Sequence, residues 1–322
     1  MTDDRLAEIY GLEATPALLE GLRETRPSGV RLLRRNVETP EQVRELAAAL
    51  RAAMGADFDV AVRHEGGAVT PFVRGVTPFP GLEALEAGAN PILARDVGRA
   101  MGAELAAMGI SINLISGGGP MASELAVGLR CSGVRAGPGP VVPAASGVPD
   151  DGEVAGLAAA VAEGAIRIVR DPRRLLPVPA GRRVGILIPR LGDVAHRLPI
   201  EDGLRGTASL IRPRVGASVA VLEVAVLPDE PSIALAVDWM AIQEIAVLFC
   251  FQARRFEGQR RLLDAAASRC PRRIVVPIGD STDEELSGAD ASILRTCGFQ
   301  ACQLIAALRA IFSPVLSGGK RK

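Results

Sequence analysis

The stretch DVAVRHEGG, residues 59–67, reads as a short apolar strand halted by two glycines. Upstream, GVRLLR (29–34) has the same strand character. Between the two lies PEQVRELAAALRAAM (40–54), a helix that Thr39 is placed to cap, with Pro40 at its first position. Val43, Leu46, Ala47 and Leu50 fall on one face of it at three- and four-residue spacing. Downstream, PILARDVGRAMGAELAAM (91–108) is a long helix starting at Pro91. GISINLI (109–115) is a third strand, followed by Gly117-Gly118-Gly119. Strand, helix, strand, helix, strand implies right-handed crossovers and parallel pairing. Outward from this block, residues 4–23 read as an amphipathic helix interrupted near Thr15-Pro16. Residues 132–152, rich in Gly, Pro, Ser and Ala, read as a linker.

A second unit begins near Glu153. A helix (EVAGLAAAVAEGA) leads to an extended run at 166–170 and a turn at Asp171-Pro172. Strand-like runs follow at 183–189, 218–226, 245–251, 273–278 and 292–296, with helical patterns at 232–243, 256–268 and 299–312. Runs such as VAVLEVAV and IAVLFC are nearly continuous apolar stretches, as strands covered on both faces are. The second unit is therefore expected to be an α/β sandwich with a mainly parallel sheet. The last ten residues, which include SGGKRK, are expected to fray.

Composition excludes several classes. The chain has 322 residues, 37 basic and 37 acidic, for a formal net charge of zero. A general nucleic-acid binder needs a positive excess to release counterions. A disordered chain needs low hydrophobicity and high net charge, whereas 48% of this one is hydrophobic. No apolar run reaches the roughly 18 residues of a membrane span, and no basic region precedes an apolar core at the N-terminus. Five cysteines, an odd number in a long chain, read as reduced thiols and a cytoplasmic location. Lys320 and Lys322 are the only lysines, so almost every cation is an arginine in solvated ion pairs.

The stretches GVRLLRRNVETPEQVRELAAALRAA, DVAVRHEGGAVTPF, GVTPFPG and ARDVGRAMGAELAAMGISINLI resemble the N-terminal barrel of glycoside hydrolase family 3, nearest its bacterial β-N-acetylhexosaminidase branch. That family has Phe-x-x-Asn after the first strand, Asp-Gln-Glu-Gly-Gly-x-Val on the second, and Gly-Ile-Asp/Asn-x-Asn on the third. The matching residues here are Asn36, then Glu65-Gly66-Gly67-Ala68-Val69, then Gly109 to Asn113. The second unit resembles the α/β sandwich that follows the barrel in many members. The resemblance implies three segments: a truncated β/α domain over 1–131, a linker over 132–152, and the sandwich over 153–322. The fold class is then α/β: an incomplete TIM-barrel-like parallel fragment of about three units, followed by the sandwich.

The departures carry the functional expectation. A complete (β/α)₈ barrel needs eight units and about 250 residues. The family's Lys-His-Phe-Pro-Gly-His-Gly segment, its Asp…His pair and the strand bearing its nucleophilic aspartate have no counterpart here. Where the family motif has a sugar-binding aspartate, this chain has Arg63, and where it has glutamine, His64. A carboxylate accepts hydroxyl hydrogens; a guanidinium can only donate. Glycoside hydrolysis needs two carboxyl groups, or a close substitute, flanking one bond. The expectation is a pseudoenzyme without catalytic residues that binds a sugar or cell-wall fragment, or serves as scaffold or regulator. The alternatives are a β-N-acetylhexosaminidase-like hydrolase with recruited or partner-supplied groups, and a purely structural interaction module.

Asn36, Arg63, His64, Glu65, Gly66, Gly67 and Asn113 are the candidate pocket, at strand ends where α/β folds bind ligands. Arg63 would make it prefer an anion; the plainer reading is a structural turn. His64 and Glu65, as adjacent strand residues, point to opposite faces and do not pair simply. Ser116-Gly-Gly-Gly-Pro120 could cradle an anion ahead of a helix, but lacks the phosphate-loop signature. Cys297 and Cys302 lack further ligands for a metal, and GILIPRLGDV lacks GxGxxG, so no metal or cofactor is expected. The expected partner is an N-acetylglucosamine-type sugar or muropeptide, with neither nucleic acid nor membrane. Three parallel strands would leave an edge and an apolar face bare, to be covered by the other unit, by residues 4–23 or in a homo- or hetero-oligomer.

Overall fold

The computed structural model describes residues 6–137, 150–279 and 281–313. The chain divides into two compact units, Met1–Ala160 and Val161–Lys322.

The first unit is built on a five-stranded sheet. Its strands are β1 (Leu6–Glu8), β2 (Gly29–Arg31), β3 (Asp59–Val62), β4 (Ile112–Asn113) and β5 (Arg135–Ala136), all parallel and side by side in chain order. Sequential order is the progression of a β/α barrel; a doubly wound sheet reverses direction at its middle. The connecting helices include α1 (Pro16–Thr25), α2 (Pro40–Met54), α3 (Leu82–Gly88), α4 (Pro91–Ala107) and α5 (Pro120–Cys131).

Two expectations are corrected here. Residues 4–23 are not one helix: Leu6, Ala7 and Glu8 pair with Gly29, Val30 and Arg31 as β1, and the helix starts only at Pro16. Thr15 caps it, its hydroxyl accepting from the Leu18 N–H at 3.3 Å. The sheet also exceeds three units, because Arg135–Ala136, at the start of the expected linker, forms β5 against β4. Strands of two or three residues are too short to show a period-two pattern. Residues 138–149 of the expected linker, and the expected frayed end beyond Ser313, lie outside the described residues.

The register sorts this sheet into two faces. Val30, Val60, Val62 and Asn113 lie on the helix-covered face, all fully buried. The opposite face carries the row Glu8, Arg31, Ala61, Ile112 and Arg135, with Asp59 on β3 and Arg63 just past its end flanking Ala61. Glu8 pairs with Arg31 across strands, and Arg135 with Asp59. This face is therefore charged and ion-paired toward both ends of the row, with the buried Ala61 and Ile112 between them.

The second unit is a six-stranded sheet in the order β6-β11-β10-β9-β7-β8. These are β6 (Arg167–Arg170), β7 (Val184–Arg190), β8 (Val219–Ala225), β9 (Ile245–Cys250), β10 (Arg273–Pro277) and β11 (Ser292–Arg295). All neighbours are parallel except the edge pair β6–β11. Each expected strand run lies within a residue or two of its strand. Both faces are apolar: Ile186, Val247, Phe249 and Ile274 pack on one side, Leu187, Leu248 and Val275 on the other. This is the α/β sandwich with a mainly parallel sheet.

Candidate functional site

The candidate residues gather at the carboxyl ends of β2, β3 and β4, the edge where β/α barrels bind their ligands. They do not share one role.

Asn36 is fully buried and spent on the backbone. Its Oδ1 accepts from the Leu33 N–H at 3.0 Å, and its Nδ2 donates to the carbonyls of Ile9 (3.1 Å) and Gly11 (3.0 Å). It ties the end of β2 to the end of β1. Asn113 does the same across β3 and β4: its Oδ1 accepts from the His64 N–H at 2.8 Å and its Nδ2 donates to the His64 carbonyl at 2.7 Å. Neither asparagine has its polar atoms turned to a ligand. Both satisfy strand-end main chain that would otherwise be buried unpaired.

His64 sits behind the edge. The residue is 2% exposed and its ring meets Phe72 edge-on at 5.4 Å between centroids. Neither ring nitrogen has a hydrogen-bond partner among the described residues. Burial pushes the imidazole pKa down to about 4, against the opposing pull of the Glu65 carboxylate. It is neutral at pH 7 and contributes no cation to the edge.

Arg63 and Glu65 lie two residues apart and meet. Glu65 Oε1 accepts from Arg63 Nε at 3.1 Å, from the Ser116 N–H at 2.8 Å and from the Ser116 hydroxyl at 2.7 Å. Arg63 Nη2 donates to the Ser116 oxygen in turn. The Glu65 side chain is 8% exposed and the Arg63 side chain 51% exposed, so the carboxylate is the buried anchor and the guanidinium the part that reaches water. Both His64 and Glu65 lie past the end of β3, and the hydrogen bonds of the Glu65 carboxylate go to Arg63 and Ser116.

Gly66 and Gly67 turn the chain after Glu65, both at positive φ (75° and 56°). A Cβ on Gly66 would lie 2.6 Å from the Pro80 carbonyl oxygen. The turn is closed by Glu65 N–H to the Val69 carbonyl and Gly67 N–H to the Phe79 carbonyl, both 2.8 Å. The pair is a structural requirement for aiming Glu65.

The glycine run after β4 is not an open anion cradle. Gly119 leads into α5, and the Met121 N–H at its start donates to Glu86 Oε1 of α3 at 3.0 Å. The protein's own carboxylate already occupies that helix N-terminus. Ser116 is the residue that sequence reading left out of the pocket; its signal was a hydroxyl between the third strand and the glycine run. Tyr10, just past β1, was missed as well. Its ring is 78% exposed and the Arg35 guanidinium lies 4.7 Å from its centroid. Among the described residues no group of three or more His, Cys, Asp or Glu could hold a metal ion, and no helix is long and apolar enough to cross a membrane.

These features define a parallel β/α sheet of barrel type with a polar strand-end cluster. The comparisons name the class more closely. Residues 2–115 match the glycosyl hydrolase family 3 N terminal domain. Over 115 residues it is 33% identical to a beta-hexosaminidase of Neisseria meningitidis serogroup C (strain 053442), covering 34% of this chain and 32% of that protein. A beta-hexosaminidase of Chromobacterium violaceum is 37% identical over 114 residues, with the same shares. The matched segment thus spans about a third of these relatives' length. A solved glycoside hydrolase family 3 beta-N-acetylglucosaminidase from Paenibacillus sp. str. FPU-7 shares the fold at a TM-score of 0.76 and 15% identity, covering 95% of this chain and 94% of that one.

Proposed function

We propose that this protein binds an amino sugar or a cell-wall sugar fragment at the carboxyl edge of its N-terminal sheet and does not hydrolyse it. One observation carries the reading: the strand-end carboxylate that the motif supplies, Glu65, is locked by Arg63 and Ser116. The neighbouring acid, Glu86, caps α5. Hydrolysis would need two carboxyl groups free to face one glycosidic bond from opposite sides, about 5 to 9.5 Å apart. Two acids already committed to guanidinium, hydroxyl and amide donors do not supply that pair. In this reading the N-terminal unit is a shortened, degenerate relative of the family barrel, retained in the cytoplasm for recognition.

The test is turnover of an aryl N-acetyl-β-glucosaminide beside calorimetric binding of N-acetylglucosamine and N-acetylmuramic acid. Binding of at least one sugar without turnover is expected. Turnover that Glu65→Gln abolishes would overturn the non-hydrolytic reading. No binding at millimolar sugar would overturn the sugar-binding reading. The likeness to beta-hexosaminidases over the first 115 residues favours the hydrolase as the second reading.

A further inference from the structure

Arg63 is more than half of an internal ion pair. A guanidinium has five N–H donors in a planar fork. Here the Nε–H is taken by Glu65 and one Nη2 hydrogen by Ser116, so both are held on one side of the plane's edge. No partner holds Nη1 among the described residues, and half of the side chain is open to water. The buried Glu65 fixes the orientation of the group, since its carboxylate is itself clamped by two donors of Ser116. An arginine prepared in this way offers its remaining edge to a planar anion, and carboxylate is the anion that matches that fork in two parallel hydrogen bonds.

The surroundings supply the rest of a ligand. Register along the sheet runs Glu8, Arg31, Ala61, Ile112. Continued past the strand ends, it places Leu33, Arg63 and Leu114 in one row at the carboxyl edge, and Tyr10 lies two residues past the end of β1. The main chain follows that continuation: the Leu32 N–H donates to the Ala61 carbonyl at 2.8 Å and the Leu114 N–H to the Val62 carbonyl at 2.7 Å. Tyr10 follows β1 and Arg63 follows β3, two strands over in the sheet. Arg35 covers one face of the Tyr10 ring, and the ring remains largely exposed. An exposed aromatic face takes the apolar side of a sugar ring, and a fixed guanidinium two strands away takes an acid group.

We infer that the ligand of this edge is a sugar bearing a carboxylate, with Arg63 as the residue that selects it over a neutral sugar. The inference rests on the sugar-binding reading above and narrows it. His64 is buried and neutral, so the preference for an anion comes from Arg63 and not from the histidine beside it.

The experiment is calorimetric titration of the full chain with sodium glucuronate, N-acetylglucosamine and sodium acetate. The variants are Arg63→Gln, Arg63→Lys and Tyr10→Ala, with a thermal melt of each to confirm folding. Glucuronate should bind more tightly than N-acetylglucosamine or acetate. Arg63→Gln should weaken glucuronate about tenfold or more and leave N-acetylglucosamine within about twofold, the range expected for a charge-assisted pair. Arg63→Lys keeps the charge without the fork and should fall between. Tyr10→Ala should weaken both sugars and spare acetate. If both sugars bind and Arg63→Gln changes them equally, or if the neutral sugar binds more tightly, the acidic preference is wrong and sugar binding stands. If neither sugar binds, both fall. Should Arg63→Gln fail to fold, the ratio of glucuronate to N-acetylglucosamine affinity in the wild type and in Arg63→Lys decides the matter.

Discussion

The two sheets of this protein are both parallel for most of their length, yet they are held together by different physics. The C-terminal sheet has strands of up to seven residues, with fully buried apolar side chains on both faces. The N-terminal sheet has strands of two to four residues, and one of its faces sets ion pairs on either side of the buried Ala61 and Ile112. Short strands make few ladder hydrogen bonds. Their ends are tied instead by asparagine side chains bonded to main chain, Asn36 between β1 and β2, Asn113 between β3 and β4. Burial without direction holds the one, and directed polar clamps hold the other.

The largest effect should come from the C-terminal core. Phe249 on β9 is fully buried. Phe249→Ala should cost about 3–5 kcal/mol by lost burial and cavity formation, read from urea denaturation. Amide exchange should accelerate along β9 and β10 and stay unchanged along β3. Equal acceleration in both sheets would show one cooperative unit and break the contrast.

The matching experiment in the N-terminal sheet is Asn113→Ala. It strips the His64 N–H and carbonyl of their partners while both stay buried. Leaving each unpaired costs about 1–3 kcal/mol, so a total of about 2–4 is expected. Asn113→Asp keeps the acceptor and loses the donor, and should fall between wild type and alanine. A loss under about 1 kcal/mol from Asn113→Ala would mean that the clamp is not what holds β3 to β4.

The same contrast explains what the sequence could disclose. IAVLFC shows continuous burial as continuous hydrophobicity, all six residues of β9 being buried, whereas VAVLEVAV reads alike although β8 is an edge strand whose residues are mostly half-buried. The helix 40–54 was legible from Thr39, Pro40 and its apolar spacing, and Thr39 does cap it, accepting from the Gln42 N–H at 3.2 Å. β1 and β5 were not legible, because a strand of two or three residues is defined by its neighbour and not by its own pattern. In the candidate site, the motif falls at the carboxyl edge of the N-terminal sheet. It could not separate the residues that hold main chain, Asn36 and Asn113, from those that face water, Arg63 and Tyr10. That division depends on which atoms across the sheet each side chain reaches. Ser116 escaped for the same reason: its partner Glu65 lies 51 residues away in sequence.

Acid should weaken the N-terminal sheet through His64. Its folded pKa lies near 4 because burial disfavours the charged form, and its unfolded value is about 6.5. Between those values the unfolded chain binds the proton and the folded chain does not. The stabilising difference is therefore complete above pH 6.5 and is lost as pH falls toward 4, at roughly 1.4 kcal/mol per unit. From pH 6.5 to 5 the loss from His64 alone is about 2 kcal/mol, while Glu104 and Glu201, whose pKa values burial raises, act in the opposite sense. His196, the only other histidine, is exposed. His64→Phe, if it folds, should flatten stability across that window. An unchanged slope in the variant would assign the acid sensitivity to another group.

The smallest effect is expected where the arginine content is most conspicuous. Arg269 at the end of the helix Glu257–Arg269 pairs with Asp238 of the helix Glu230–Ala241 at 2.8 Å, with side chains 58% and 61% exposed. Water screens such a pair and its side chains lose rotamer freedom in forming it, so Arg269→Ala should change stability by about half a kcal/mol or less. Arg273 marks the contrast: it is 2% exposed and donates to the carbonyls of Cys270 and Ser287 as well as to Asp290. Charge balance across the chain is therefore not a measure of what arginines contribute. A loss above about 1 kcal/mol on Arg269→Ala would mean that the surface pairs brace the C-terminal sheet, and that its stability is not a matter of apolar burial alone.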